Sequence, residues 1–158
     1  PMSEVFTYRT SVRPEWIDYN GHMQDCYFGL IFSLAADDVQ EALGVGARYR
    51  KATGCTIYLV EDHKVFLREV KEGSEVTVEA RVIGWDAKRF HLHKQMFEGG
   101  DLVCVGEYME LHVNQHPKPH AEPMPEVVLS RLERACLSEA AAIALPHRAR
   151  AIGLSRRG

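Results

Sequence analysis

Hydrophobic and polar positions alternate from the start of the chain. Between Val5 and Val12, Val, Thr, Arg and Ser face one way while Phe, Tyr, Thr and Val face the other, which predicts a strand that Pro14 ends. The step then lengthens. Tyr27, Leu30, Ile31, Leu34, Ala35, Val39 and Leu43 recur three or four residues apart, so the spacing predicts a helix over Met23–Leu43, about five turns long, with Gly44 as its stop. Phe28 and Phe32 widen the apolar stripe, so this helix is expected to be largely enclosed. A short helix over Ala47–Ala52 follows. Beyond Gly54 lie four strand-like segments, Thr56–Arg68, Glu75–Trp85, Arg89–Phe97 and Val103–Val113. Turn chemistry at Lys71–Ser74, Asp86–Lys88 and Glu98–Asp101 separates them and predicts hairpins in one antiparallel meander. Four prolines between residues 116 and 125 break the ladder. Helical spacing resumes from Val127 to Ile143, and residues 146–158 are expected to form a flexible tail.

One strand, one long helix and four long strands, on a chain of 158 residues, predict a single domain. Its class is α+β, with an antiparallel sheet of about five strands wrapped around the long central helix. That is a hot-dog fold, here with a core over residues 5–115 and an extra C-terminal helix over about 126–143. Hydrophobic residues make up 46% and charged residues 26%, which excludes disordered and fibrous classes. A net charge of -3 provides no field for nucleic acid. No apolar run approaches the ~20 residues of a membrane span, and the N-terminus lacks a signal-peptide pattern, so a cytoplasmic protein with no membrane or nucleic-acid partner is expected. The four cysteines are scattered in apolar surroundings and read as reduced, buried thiols. None of the eight histidines falls at a metal-ligand spacing, so no metal is expected.

Chemistry concentrates in Trp16–Met23, where Asp18, Asn20, Gly21 and His22 supply a carboxylate, an amide, a flexible backbone and an imidazole just before a helix start. The same Asp-x-Asn-Gly run is ordinary turn and capping chemistry, so both readings of Asp18 stand at this level. His22 reads equally as a partner for Asp18 or as a locally bonded helix-start residue. Glu61 and His63, two residues apart, share one strand face and read either as a polar pair near the site or as an edge pair.

The order strand, D-x-N-G-H-M, long helix and four strands resembles the hot-dog acyl-CoA thioesterases of the 4-hydroxybenzoyl-CoA thioesterase type. In more detail, Trp16–Met23, Val60-Glu61-Asp62-His63 and Asp86–His91 look like the betainyl-CoA thioesterases of carnitine catabolism. The resemblance spans residues 5–115. It departs at Gln24-Asp25, where many relatives have two asparagines.

What the resemblance implies is acyl-CoA hydrolysis in which Asp18 is general base or nucleophile, and the Gly21 and His22 amides stabilise the oxyanion. Asn20, Asp25, Tyr27, Tyr58, Glu61 and His63 become candidate substrate-binding residues. Asp25, Tyr27 and Tyr58, joined by Trp16, would cage a trimethylammonium group. Lys88 and Arg89 at a hairpin turn, with Lys94 further along the strand and Arg68 on another strand, become candidates for the coenzyme A phosphates. No cofactor is implied beyond the coenzyme A of the substrate. The similarity also implies a homodimer, with further assembly into a tetramer left open, and sites at the interface. Two other functions fit the same fold: a non-catalytic acyl-CoA-binding module and an acyl-CoA hydratase or dehydratase.

Overall fold

The computed structural model describes residues 4–156. Its elements run β1 (Phe6–Ser11), α1 (Asp25–Leu43), α2 (Ala47–Thr53), β2 (Cys55–Phe66), β3 (Glu75–Trp85), β4 (Arg89–Glu98), β5 (Asp101–Asn114), β6 (His120–Ala121), α3 (Glu126–Ala135) and α4 (Glu139–Ile143). The strands form one curled antiparallel sheet in the order β1-β3-β4-β5-β2, with the short β6 extending the β5 side. This is the expected α+β hot-dog architecture.

Only β3, β4 and β5 form a meander. The expected hairpin between β2 and β3 does not exist, because β2 pairs instead with β5, from Cys55 opposite Asn114 to Phe66 opposite Cys104. Residues 67–74 carry the chain from one edge of the sheet towards the other. Their anchors are backbone bonds from Met23 N–H to Val70 C=O (2.7 Å), Gly73 N–H to Val12 C=O (2.9 Å) and Val12 N–H to Ser74 C=O (2.8 Å). Turn residues mark where a chain reverses, and they carry no information on which strand it pairs with next.

One stripe of α1 packs into the concave face of the sheet: Phe28, Ile31, Phe32, Ala35, Ala36, Val39 and Leu43 are all buried. The other side, including Cys26, Leu30, Ser33, Asp37, Asp38 and Glu41, is exposed, so the helix is covered on one face rather than enclosed. Its first residue is Asp25 and not Met23, because the backbones of Met23 and Gln24 are tied to Val70 and Trp16. Gly44, at φ +86°, ends it as expected. Gly106 on β5 admits the ring of Phe32, whose nearest carbon lies 3.0 Å from where a Cβ would stand. All four thiols are free; Cys55 and Cys104 are buried as expected, Cys136 is partly covered, and Cys26 is exposed at the start of α1.

The expected single C-terminal helix is two helices. The chain leaves helical geometry at Cys136, Leu137 N–H turns out to Val82 C=O (2.9 Å), and Ser138 Oγ accepts from Ala141 N–H to start α4. Nor is the chain loose from residue 146. His93 Nε2 donates to Pro146 C=O (2.9 Å), and the buried Glu107 carboxylate accepts from His91 Nε2 (2.8 Å), Arg148 Nε (3.1 Å) and Ala149 N–H. Arg157 and Gly158 of the expected tail lie outside the described residues.

Burial alone would raise the pKa of Glu107, but the bonds from His91, Ala149 and Arg148, with the Arg148 charge, hold it down at about 2 against an ordinary 4.5. A depressed carboxyl stabilises the fold fully above its ordinary pKa, and the contribution is lost as pH falls from 4.5 towards 2. Glu107→Gln is therefore expected to lower stability at neutral pH by on the order of 3 kcal/mol and to flatten the acid limb of the stability curve. Urea midpoints measured against pH check both effects.

Candidate active site at the start of the long helix

The loop before α1 is closed by its own backbone. After a 3-10 turn over Pro14–Trp16, Ile17 forms a β-bridge with Met23, and Asp18 N–H donates to His22 C=O (3.0 Å). Inside that bridge Gly21 N–H donates to Asp18 C=O (3.0 Å), and Asp18 Oδ1 accepts from Asn20 N–H (2.8 Å). The loop doubles back through Gly21 at φ +81°, a conformation costing an L-residue roughly 1–2 kcal/mol. Asp18 is thus the turn residue that its sequence context allows. It is also half-buried, with its second carboxylate oxygen uncommitted among the described residues, and it sits directly across the bridge from His22.

This geometry corrects the expectation for Gly21. Its amide is spent on Asp18 C=O and is not free for an oxyanion. A Cβ there would meet nothing within 4 Å, so glycine serves the backbone angle rather than the close approach of a carbonyl. The His22 and Asp25 amides are different: among the described residues neither has an acceptor. Asp25 opens α1, where the positive end of the helix dipole points outwards.

Beside these amides lies a cleft of about 330 Å³ walled by His22, Met23, Asp25 and Phe28 on the helix side and by Phe66–Glu69 on the other. The Phe66 ring is 50% exposed and stands edge-on to Phe28, with centroids 5.2 Å apart and planes at 86°. His22 Nε2 meets Glu69 Oε2 at 3.0 Å. Asp25 Oδ1 accepts from Cys26 N–H (2.8 Å), and Arg68 Nη1 is held by Asp101 Oδ2 (2.9 Å). Phe66, Leu67 and Glu69 were not candidates from sequence. Their place depends on the crossover after β2, which no local pattern reports.

Within one chain the remaining candidates lie elsewhere. Asn20 is at the exposed tip of the turn, where its backbone rather than its side chain is engaged. Tyr27 stacks on Trp16 (5.6 Å, 17°), and the Arg13 guanidinium stands 5.5 Å from the same Trp16 ring. Neither ring of that pair lines the cleft at the start of α1. Tyr58 sits eight residues along β2 from Phe66, roughly 26 Å away at strand rise, and alternates with Ile57 and Leu59, which face α1. Glu61 and His63 do share a face, but it is the sheet face turned away from α1, around a recess of about 130 Å³ shared with His91, Glu107 and Ala149. Lys88 and Arg89 lie in the β3–β4 turn at the Tyr58 end of the sheet. Arg89 is clasped by Asp86 through Nε (2.9 Å) and Nη2 (2.7 Å), whereas the Lys88 side chain has no carboxylate partner among the described residues. Among the described residues no group of three His, Cys, Asp or Glu side chains is arranged to hold a metal ion.

The family model of the thioesterase-like superfamily matches residues 12–132. The chain belongs to this superfamily. It is 40% identical to the betainyl-CoA thioesterase of Pseudomonas aeruginosa over 135 residues, 84% of each chain. It is 43% identical over 100 residues to the L-carnitine dehydrogenase/betainyl-CoA thioesterase of Agrobacterium fabrum, where the match spans 63% of this chain and 20% of that longer protein. Among solved structures, a Staphylococcus aureus protein in complex with CoA superposes with a TM-score of 0.83 at 26% identity, covering 97% of this chain and 98% of the other. The 1,4-dihydroxy-2-naphthoyl-CoA thioesterase of Synechocystis shares the fold alone, with a TM-score of 0.72 at 16% identity over 82% and 96% of the two chains. The hot-dog assignment is thereby secured, and no described helix is long and apolar enough to cross a membrane.

Because open space surrounds Gly21, the effect of Gly21→Ala on this superfamily member is backbone strain alone. A loss of about 1 kcal/mol in stability is expected, with weaker catalysis from the displaced Asp18–His22 turn. Denaturant unfolding and single-turnover rates test the two parts separately.

Proposed function

We propose that the protein hydrolyses acyl-CoA thioesters and that betainyl-CoA is its substrate, giving betaine and coenzyme A as in carnitine breakdown. One observation carries the hydrolase reading: His22 and Asp25, whose amides have no acceptor among the described residues, wall an open cleft at the start of α1, and Asp18, itself outside that lining, is tied to His22 across the bridge by its backbone. The acyl identity is supported by the 40% identical Pseudomonas aeruginosa relative.

A thioester carbonyl seated in the cleft places its oxygen against the two amides, which meet the negative charge as the carbon becomes tetrahedral. Asp18 takes a proton from the attacking water, or attacks directly to give an anhydride that water then opens. Either way the C–S bond breaks, the acyl carbon gains hydroxyl, and the thiolate of coenzyme A takes up the remaining proton. His22, bonded to Glu69, stiffens the turn that positions Asp18. No group beyond the coenzyme A of the substrate enters these steps.

Assembly as a homodimer completes this picture. β2 is the outer strand of the sheet, with one edge of its backbone unpaired and Leu59, Val60 and Phe66 all more than two-fifths exposed. Such an edge is covered when a second copy pairs with it antiparallel about a two-fold axis. That pairing lays the Tyr58 end of one copy, with its Lys88–Arg89 turn, against the Phe66 end of the other. Phosphates of coenzyme A would then meet Lys88 across the seam.

Thiol release from betainyl-CoA tests the reaction. Asp18→Asn is expected to lower kcat by about 100-fold or more with the fold intact, the usual scale of a general base. A variant retaining activity within about threefold of the wild type would overturn the role given to Asp18. The binding-module alternative predicts no thiol release from the wild type at all. Sedimentation equilibrium is expected to give the mass of two or four chains, and a fully active monomer would remove the assembly.

A further inference from the structure

We propose that Phe66, Asp25 and Glu69 form the receptor for the cationic head of the acyl group; this rests on the betainyl-CoA reading. The betainyl head is short. Its nitrogen lies two bonds from the carbonyl carbon, roughly 2.5 Å, so whatever recognises the charge must border the groups that hold the carbonyl oxygen. The cleft at the start of α1 meets that requirement within one chain. Asp25 supplies both an oxyanion amide and a carboxylate from the same residue, and Glu69 reaches His22, the source of the other amide, at 3.0 Å.

A trimethylammonium group donates no hydrogen bonds and is held by aromatic surface and carboxylate charge. The half-exposed Phe66 ring, braced edge-on by the buried Phe28, gives the first, and Asp25 with Glu69 gives the second. Met23 and Leu67 line the remaining wall for the methyl groups. Arg68, the one cation in the cleft among the described residues, is bound by Asp101 at 2.9 Å. A second acidic and aromatic pocket, around Asp37, Tyr108 and Glu110, opens at Ser33. Ser33 is eight residues along α1 from Asp25, about 12 Å at helical rise, so this pocket cannot touch a head group whose carbonyl sits at the same chain's amides.

The test compares kcat/KM for betainyl-CoA with that for 3,3-dimethylbutanoyl-CoA, in which a tert-butyl group replaces the trimethylammonium. Wild type is expected to favour the cationic substrate by about tenfold or more, the scale of a desolvated cation–π contact with added charge. Phe66→Leu, which keeps apolar bulk, and Glu69→Gln are each expected to cut that ratio by about threefold to tenfold. Phe66→Tyr, which keeps the ring, is expected to preserve it. Glu72→Gln removes the same charge from the neighbouring exposed turn and is expected to leave the ratio unchanged. Wild-type preference that survives both Phe66→Leu and Glu69→Gln overturns this receptor while leaving the substrate assignment intact. A wild type that hydrolyses both thioesters equally overturns the substrate assignment, and the receptor with it.

Discussion

Pressing one stripe of α1 into the curl of the sheet is the contact on which the rest of the molecule depends. Phe28, Ile31, Phe32, Val39 and Leu43 are all at most 3% exposed, and each contributes roughly 2 kcal/mol by leaving water. Together they outweigh any single polar contact in the domain. With that stripe fixed, the first turn of α1 must emerge between the Ile17–Met23 bridge and the crossover after β2, since Met23 N–H is bonded to Val70 C=O. The open amides, the turn carrying Asp18 and the Phe66–Glu69 wall are neighbours for this reason. The site is where the packed helix runs out of sheet.

Polar ties under α1 add to this apolar packing. Lys94 is fully buried, donates to Phe32 C=O (3.1 Å) and lies against the Tyr108 ring, while Tyr108 Oη donates to Gly29 C=O (3.3 Å). Burial drives Lys94 well below its ordinary pKa and raises Glu110 to about 7. Two strands thereby grip two carbonyls of the helix at fixed heights. Charged groups in such a place add little net stability against apolar replacements of similar size, and their worth lies in specifying one arrangement.

Periodicity made the elements legible, and most of their boundaries fall within two residues of expectation. Glu75–Trp85 coincides with β3, and Gly44 stops α1. Pairing was not legible, because Lys71–Ser74 has the composition of a hairpin turn yet serves a crossover. The break at Cys136 was hidden for a related reason: the apolar spacing continues across it, while the exit is set by Leu137 bonding to Val82 on a distant strand. Of the candidates read from sequence, His22 and Asp25 fall in the lining of one cleft, and Asp18 is tied to His22 by its backbone, because all three lie within eight residues of chain. The amide assignment to Gly21 failed on a bond inside the turn. Phe66 and Glu69 were missed because their nearness to Asp25 spans some forty residues of sequence and exists only once β2 has crossed the sheet.

Residues that one chain leaves scattered are not scattered at random. Tyr58 pairs with Leu111, and Leu111 also pairs with Arg89, so Tyr58, Lys88 and Arg89 share one end of the sheet while Phe66, opposite Cys104, marks the other. Both groups flank the single unpaired edge of β2. In the dimer proposed above, a two-fold axis through that edge would exchange its ends and carry the Lys88–Arg89 turn towards the cleft at the start of α1 without moving any element of the domain. Separation along the edge strand, which in a monomer would argue against a common site, becomes under this symmetry the distance that a long thioester substrate has to span. On that proposal, two of the three stretches that carry the resemblance acquire a physical basis: Trp16–Met23 would build the reacting end of one site, and Asp86–His91 would build the coenzyme end of its neighbour's.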